Sequence, residues 1–170
     1  MKKIFSLLVI LFVLSGCESD VKFSDPGLQG RKDNLIWRSD VTVATFENDL
    51  LVLTAYRGVE SMTLTMPAPT SAINSSNVQT YIFDADHDQN DAINATYGYL
   101  DNGAMVTYTT GFDEDGEVAG NVEIVLNKFD PEKMVVSGSF KFNAKYFGDS
   151  NLYPDTVNFQ EGAFFNIQLQ

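Results

Sequence analysis

Residues 41–66 read VTVATFENDLLVLTAYRGVESMTLTM, and this stretch decides the fold class of the chain. Apolar and β-branched residues recur at every second position, which is the period of a half-buried strand and differs from the 3.6-residue period of an amphipathic helix. The two breaks carry Asn48-Asp49 and Arg57-Gly58, which accept the backbone angles of tight turns. The stretch therefore predicts three antiparallel strands joined by hairpins.

The two-residue period continues beyond this meander. Pro67 ends the third strand because proline cannot donate to a ladder. Further strands are predicted at residues 78–83, 94–100, 104–109, 118–126, 134–146, 156–160 and 163–169. About ten strands without a convincing amphipathic helix indicate an all-β fold, a single antiparallel β-sandwich or barrel-like domain over residues 35–170.

The charge and composition argue against several functions. The 170 residues include 11 Lys+Arg and 23 Asp+Glu, for a formal net charge of −12. Two of the lysines lie in residues 1–16, so the chain from Cys17 onward has 9 basic residues and a charge of −14. Such a chain repels phosphate backbones, so no nucleic-acid partner is expected. One His and one Cys exclude His-rich zinc sites, Cys-His pairs and internal disulfides.

The N-terminus carries an export signal. A positive start, Met1-Lys2-Lys3, is followed by the apolar run 4–14 and then by Leu14-Ser15-Gly16-Cys17. The run is too short for a permanent membrane span and suits a signal peptide. The tetrapeptide resembles a bacterial lipobox, which implies that residues 1–16 are removed and that the Cys17 sulfur receives a diacylglycerol. The alternative is an ordinary secretory leader with an incidental cysteine.

Residues 17–34 are polar and include Pro26, Gly27 and Gly30, so we predict a flexible tether there. The protein would then have the membrane as a partner through its N-terminal lipid. Glu18 and Asp20 loosely resemble signals that send some lipoproteins outward. We expect a lipid-anchored protein of the bacterial outer membrane, with its domain at the periplasmic face or the cell surface.

Two C-terminal segments point to a family. Residues 133–144 read KMVVSGSFKFNA and residues 157–167 read VNFQEGAFFNI. Together they resemble an uncharacterised family of small Bacteroidetes-type lipoproteins, domain of unknown function six-two-five-two. The resemblance covers most of residues 35–170 and implies a β-rich envelope lipoprotein, without catalytic residues to carry over. Trp37 departs from it, because the glycine of the family's Asn-Gly-x-x-Trp turn is missing.

Glycines and phenylalanines within these two segments have predicted structural roles. Gly138 and Gly162 are expected where the backbone bends or crowds. Four aromatic side chains are expected to supply core area: Phe140, Phe142, Phe164 and Phe165.

An acidic loop is the candidate cation site. Its carboxylates alternate as hard-cation ligands do, and they come from Asp84, Asp86, Asp88 and Asp91. The helical calcium loop is excluded, because Gln89 replaces its glycine and Ala95 its glutamate. A Ca²⁺ loop of other geometry and a solvated acidic loop remain as alternatives. A second acidic patch at residues 112–117, FDEDGE, is foremost a hairpin turn.

Aromatic and titratable residues give the remaining candidates. Tyr81, Tyr97, Tyr99 and Tyr108 lie on neighbouring predicted strands, where they would stack against sugars or pack in the core. Trp37 is predicted to plug one end of the fold, and His87 to be an exposed loop residue. No phosphate loop, nucleophile elbow or dinucleotide fingerprint occurs, so we expect no enzyme.

These observations favour a non-catalytic binding or structural role in the cell envelope, with the ligand and oligomeric state unknown. The alternatives are a calcium-dependent or glycan-binding surface module and, less favoured, a polymer hydrolase.

Overall fold

The computed structural model describes residues 26–87, 90–113, 115–148 and 152–170, and every helix or strand assigned within these ranges is a β-strand. The all-β prediction is confirmed. The strands are β1 (Gly27–Lys32), β2 (Leu35–Arg38), β3 (Val41–Glu47), β4 (Leu50–Arg57), β5 (Glu60–Pro67), β6 (Gln79–Phe83), β7 (Asn94–Asp101), β8 (Ala104–Thr109), β9 (Gly111–Phe112), β10 (Val118–Ala119), β11 (Asn121–Asp130), β12 (Val135–Tyr146) and β13 (Thr156–Gln168).

Most strands belong to one curled antiparallel sheet in the order β2-β1-β13-β12-β8-β7-β5-β4-β3. From β12 the sheet also extends to β11 and then β6, while β9 and β10 form a separate hairpin. The curl brings β3 to the C-terminus, where Ala44 and Leu169 form an isolated bridge. Gln170 N donates to Ala44 O at 2.9 Å at the same place. The sheet is therefore a half-barrel.

Buried and exposed side chains alternate along the strands as predicted, and the buried ones form a core inside the curled sheet. On β4, Leu51 and Leu53 are fully buried, and Val52 between them is partly exposed. Aromatic rings fill the space between the walls: the Phe142 and Phe159 centroids lie 4.7 Å apart, and Trp37 meets Phe159 edge-on at 5.9 Å. Trp37 is fully buried, as expected for a plug.

The predicted tether, residues 17–34, is wrong from residue 27 onward. Gly27–Lys32 forms β1, which lies between β2 and β13 within the sheet, and Leu28 is fully buried. The sequence GLQGRK has one large apolar residue and no visible alternation, and it forms a strand by pairing with β2 on one side and with the distant β13 on the other. The domain thus begins before residue 35.

The predicted break between strands 156–160 and 163–169 is also wrong, because residues 156–168 form the single strand β13. Glu161 has a φ of 51°, and the register with β12 shifts between Phe140 and Phe142. A Cβ on Gly162 would lie 2.5 Å from the Phe140 carbonyl oxygen. The Glu-Gly pair therefore marks a β-bulge rather than a turn.

The other predicted structural residues mostly behave as expected. A Cβ on Gly138 would lie 2.1 Å from the Val125 carbonyl oxygen, so the backbone is crowded there. Three of the four predicted core phenylalanines are buried, whereas Phe165 is partly exposed. The predicted strand 118–126 is divided at Gly120, which has a φ of 77°.

Candidate functional site

Several connections between strands meet at one end of the half-barrel. Leu100 N donates to Val59 O at 3.2 Å, which joins the end of β7 to the β4–β5 turn. The Tyr153 hydroxyl donates to Asp101 Oδ2 at 3.0 Å, which joins the β12–β13 loop to the β7–β8 turn. These connections surround a pocket of about 180 Å³, which we call the mouth pocket. Its lining consists of Lys32, Asp33, Glu60, Tyr97, Tyr99, Tyr108, Pro154, Thr156 and Val157.

A charged pair lines the mouth pocket. Lys32 Nζ lies 3.4 Å from Glu60 Oε1 and donates to the Tyr97 hydroxyl at 2.7 Å. The other Glu60 oxygen accepts a hydrogen bond from Trp37 Nε1 and lies 3.9 Å from Arg57 Nη1. The Lys32 and Glu60 side chains are about a quarter exposed, at 25% and 23%. The pair is thus partly withdrawn from water, and each partner compensates the charge of the other.

Five of the seven tyrosines form the wall beside this pair. Tyr99 and Tyr108 stack with centroids 6.5 Å apart, and Tyr97 lies 6.2 Å from Tyr108. Tyr146 continues the series 5.6 Å from Tyr108, followed by Tyr153 at a further 5.6 Å. Tyr97 and Tyr108 are buried within this wall, whereas Tyr99 is partly exposed and offers a ring next to polar groups, a combination suited to a ligand with apolar and polar sides.

Burial raises the pKa of the Tyr97 and Tyr108 hydroxyls well above 10. The Glu60 carboxylate raises the pKa of Tyr97 further, and a hydrogen bond with Tyr99 does so for Tyr108. Both hydroxyls therefore keep their protons at neutral pH, and neither is a base.

The structure brings three of the four predicted tyrosines together. Tyr81 instead lies on β6, where its hydroxyl donates to Gln79 Oε1 at 2.7 Å. Sequence reasoning missed Lys32 and Glu60, as well as the loop residue Tyr153. Lys32 lies in the segment predicted to be a tether, where GLQGRK has no apolar alternation that would indicate a strand.

The comparisons with known proteins agree with a domain that starts before residue 35 and with the predicted N-terminal lipoprotein signal. A family model described as Domain of unknown function (DUF6252) matches residues 24–168. The chain belongs to this family. The DUF6252 match begins before residue 35, in keeping with a domain that includes β1. A second model, for the prokaryotic membrane lipoprotein lipid attachment site, matches residues 1–17. No curated protein and no solved structure matches the chain.

The lipid attachment match ends at Cys17, so the DUF6252 chain is a lipid-anchored, membrane-associated protein. Cys17 itself lies outside the described residues. Within the described ranges, the structure contains no helix with the length and apolar character needed to cross a bilayer.

The acidic loop of the DUF6252 domain forms a local turn. Asp84 Oδ1 accepts hydrogen bonds from the backbone N–H groups of Asp86 and His87 at 2.9 Å and lies 2.7 Å from His87 Nδ1. The bond to His87 lowers the pKa of Asp84, and the same contact raises that of His87. His87 is exposed, as predicted.

The proposed cation ligands are only partly described. Asp86 and Asp91 are exposed, whereas Asp88 lies outside the described residues. Among the residues with described positions, no three His, Cys, Asp or Glu side chains are arranged to hold a metal ion. A calcium site that includes Asp88 therefore stays a hypothesis.

The second acidic patch contains the predicted hairpin turn, between β9 and β10. Asp113 Oδ1 accepts hydrogen bonds from the backbone N–H groups of Asp115 and Glu117 at 3.0 and 2.9 Å. Gly116 has a φ of 80°, a conformation that glycine adopts without a steric cost. Glu114 lies outside the described residues.

Proposed function

We propose that the protein is a non-catalytic binding module of the bacterial outer membrane, anchored by lipid on Cys17, and that the mouth pocket binds a sugar residue. One observation carries this proposal: Tyr97, Tyr99 and Tyr108 stand beside the partly buried Lys32–Glu60 pair in an open pocket. Open ends of β-barrels are frequent ligand sites. The partly exposed Tyr99 ring fits the apolar face of a sugar, and the polar groups of the pocket fit its hydroxyls.

The volume of the pocket limits the size of ligand that it can hold. At about 180 Å³ it lies below the roughly 300–1,000 Å³ typical of sites for drug-sized molecules. It therefore suits one small ring, such as a terminal sugar of a glycan. An ammonium has three donors, and the hydrogen bonds above involve two of those on Lys32, so the third is a candidate contact for a ligand oxygen.

Two features of the pocket support binding without catalysis. Tyr97 and Tyr108 retain their protons because their pKa values are raised. The Glu60 carboxylate is occupied by Lys32 and the Trp37 indole, which disfavours it as a general base or nucleophile.

Binding is tested with the lipid-free domain, residues 24–170, which covers the whole DUF6252 match. A neutral hexose, an amino sugar and a uronate are titrated separately by saturation-transfer NMR and calorimetry. We expect saturable binding of at least one sugar and an affinity about fivefold lower in Tyr99→Ala, since loss of an aromatic contact costs about 1 kcal/mol. Tyr56→Ala is the control, because Tyr56 is exposed and outside the pocket lining. No binding of any sugar, or equal binding by Tyr99→Ala, contradicts the proposal.

The anchor and its location have separate tests. Wild type should incorporate labelled palmitate and sediment with outer-membrane vesicles, whereas Cys17→Ser should do neither, because the thiol is the site of attachment. Labelled, membrane-bound Cys17→Ser contradicts the anchor. Recovery of the wild type with the inner membrane contradicts the outer-membrane location.

A further inference from the structure

The outer face of one half of the sheet is nearly free of charge. It consists of the side chains of β3, β4, β5, β7 and β8 that alternate with the buried core, and we call it the uncharged face. Among these described positions the only charged residue is Glu47, at the end of β3, although 20% of the chain is charged. The solvated face of an antiparallel sheet is normally polar, so this composition needs a reason.

The other half of the sheet has the ordinary composition. Glu123 on β11 pairs with Lys141 on β12 at 2.9 Å, and Arg31 on β1 pairs with Glu161 on β13 at 2.8 Å. All four side chains are at least one-third exposed. The lack of charge is therefore a property of one face and not of the fold.

A row of threonines crosses the uncharged face. Thr54, Thr63, Thr96 and Thr109 lie opposite one another on four neighbouring strands. Thr54 Oγ1 lies 3.5 Å from Thr63 Oγ1, and Thr96 Oγ1 lies 3.3 Å from Thr109 Oγ1. The hydroxyls thus partly satisfy one another, which lowers the cost of moving this face out of bulk water.

Beside this row, toward the mouth pocket, the uncharged face is apolar. Tyr56 pairs with Val41, Leu100 pairs with Met105, and Leu100 N donates to the carbonyl of Val59 in the β4–β5 turn. These five side chains are between 48% and 63% exposed, and we call them the apolar strip. Soluble proteins rarely expose a contiguous group of large apolar side chains, and such groups mark interaction surfaces.

We propose that the apolar strip docks the domain on the bilayer that holds its lipid anchor. Cys17 lies ten residues before Gly27, so the chain keeps the start of β1 within about 36 Å of that bilayer. Such a tether presents the bilayer to the domain at a high effective concentration. Aliphatic side chains enter the headgroup boundary favourably, and tyrosine is typical of that interface. This inference does not depend on sugar binding in the mouth pocket.

Shape and charge favour a bilayer over a second copy of the chain. The outer surface of a curled sheet is convex, and two convex surfaces bury less area than the roughly 1,200 Å² that a stable interface needs. A bilayer interface deforms around a convex strip. The formal net charge of −12 would repel lipid phosphates, and the uncharged face is the part of the surface that approaches them without carboxylates.

Tryptophan quenching in proteoliposomes tests the docking. The acylated protein is reconstituted in phosphatidylcholine vesicles whose acyl chains carry bromine near the headgroups. Met105→Trp reports on the apolar strip, and Ser139→Trp, at an exposed position on β12, is the matched control. We expect at least threefold more quenching of the first, after subtraction of the wild-type signal from buried Trp37. Adding Val59→Asp and Leu100→Asp should remove most of this difference, because a charge is costly in hydrocarbon.

The alternative outcomes overturn the proposal in distinct ways. Equal quenching at the two positions means that the domain has no preferred face toward the bilayer. Quenching of Met105→Trp that persists with both aspartates excludes the apolar strip as its cause. No quenching, together with dimers of the lipid-free domain in analytical ultracentrifugation, assigns the strip to a second copy. Melting curves show whether the double aspartate variant is folded, and Val59→Asp alone, in a turn, replaces it if it is not.

Discussion

Lys32 and Tyr97 are 65 positions apart, yet Lys32 Nζ donates to the Tyr97 hydroxyl at 2.7 Å and lies 4.7 Å from the centre of its ring. The two residues lie on β1 and β7, which are separated in the sheet by β13, β12 and β8. The contact therefore spans the open end of the half-barrel instead of following a ladder. It joins two residues that line the mouth pocket and places the Lys32 ammonium in that lining.

Glu60→Gln should destabilise the domain, because it leaves the Lys32 ammonium partly buried without its counter-charge. We expect a loss of about 1–3 kcal/mol in the free energy of unfolding, measured by urea titration. Glu161→Gln breaks the exposed pair with Arg31 and should cost less than about 1 kcal/mol. Equal losses of unfolding free energy in the two variants would show that the Lys32–Glu60 pair contributes no more than the exposed Arg31–Glu161 pair.

Alkaline titration should reveal the two buried tyrosines. Because the pKa values of Tyr97 and Tyr108 are raised, the unfolded chain loses these protons first as the pH rises above 10. Their contribution to stability is therefore complete below pH 10 and is lost at higher pH. Near-ultraviolet absorbance should show tyrosines that ionise only on unfolding, and fewer of them in Tyr97→Phe/Tyr108→Phe. Complete ionisation of the folded wild type argues against this burial.

His87, the single histidine, should titrate above its ordinary pKa of 6.5 in a proton NMR experiment. The hydrogen bond to Asp84 is the main cause, so Asp84→Asn should bring the pKa back down. The His87 contribution to stability is present below pH 6.5 and is lost as the pH rises through the raised pKa. The Asp84 contribution is lost as the pH falls through its lowered pKa. An unchanged His87 titration in Asp84→Asn excludes the contact.

Calcium should leave the melting temperature unchanged. Asp84 Oδ1 already accepts two backbone hydrogen bonds and contacts His87, so this oxygen is a poor metal ligand. Scanning calorimetry in calcium and then in chelator measures this, since a ligand specific to the folded state raises its stability. An increase in calcium that is lost in Asp88→Asn would instead establish the acidic-loop site.

Gly138→Ala should destabilise the domain by about 2 kcal/mol or more, because the new methyl group would meet the Val125 carbonyl and the Phe164 ring. Urea titration measures the effect. Ser139→Ala, one residue along and exposed, should change the stability by less than about 0.5 kcal/mol. Equal stability of the two variants would mean that the sheet relaxes around the methyl group.

The sequence predicts those parts of the fold whose cause is local. The hairpins from Val41 to Pro67 combine strict alternation with turn residues at both breaks, and the structure has them within one residue. Gly27–Lys32 lacks alternation, and it is a strand because it pairs with β2 next to it and with β13 more than a hundred residues later. Glu161-Gly162 has the composition of a turn, yet both flanking segments continue into the same strand. Tertiary pairing overrides the local signal in both cases.

In the candidate site, too, the sequence predicts only the residues that local structure brings together. Tyr97, Tyr99 and Tyr108 come from adjacent strands joined by one short turn, so their proximity follows from the hairpin. Glu60 lies directly opposite Tyr99 on the neighbouring strand β5, so the pairing of β5 with β7 places it at the site. Lys32 reaches the site only through the curl of the sheet, which residue spacing does not reveal.

The position of β1 in the chain limits how far the mouth pocket can lie from the lipid anchor. The strand starts at Gly27, ten residues after Cys17, and finishes at Lys32 in the mouth pocket. Ten chain steps from Cys17 reach at most about 36 Å, and the strand adds about 17 Å. Anything that binds in the mouth pocket must therefore come within about 50 Å of the lipid-bearing residue.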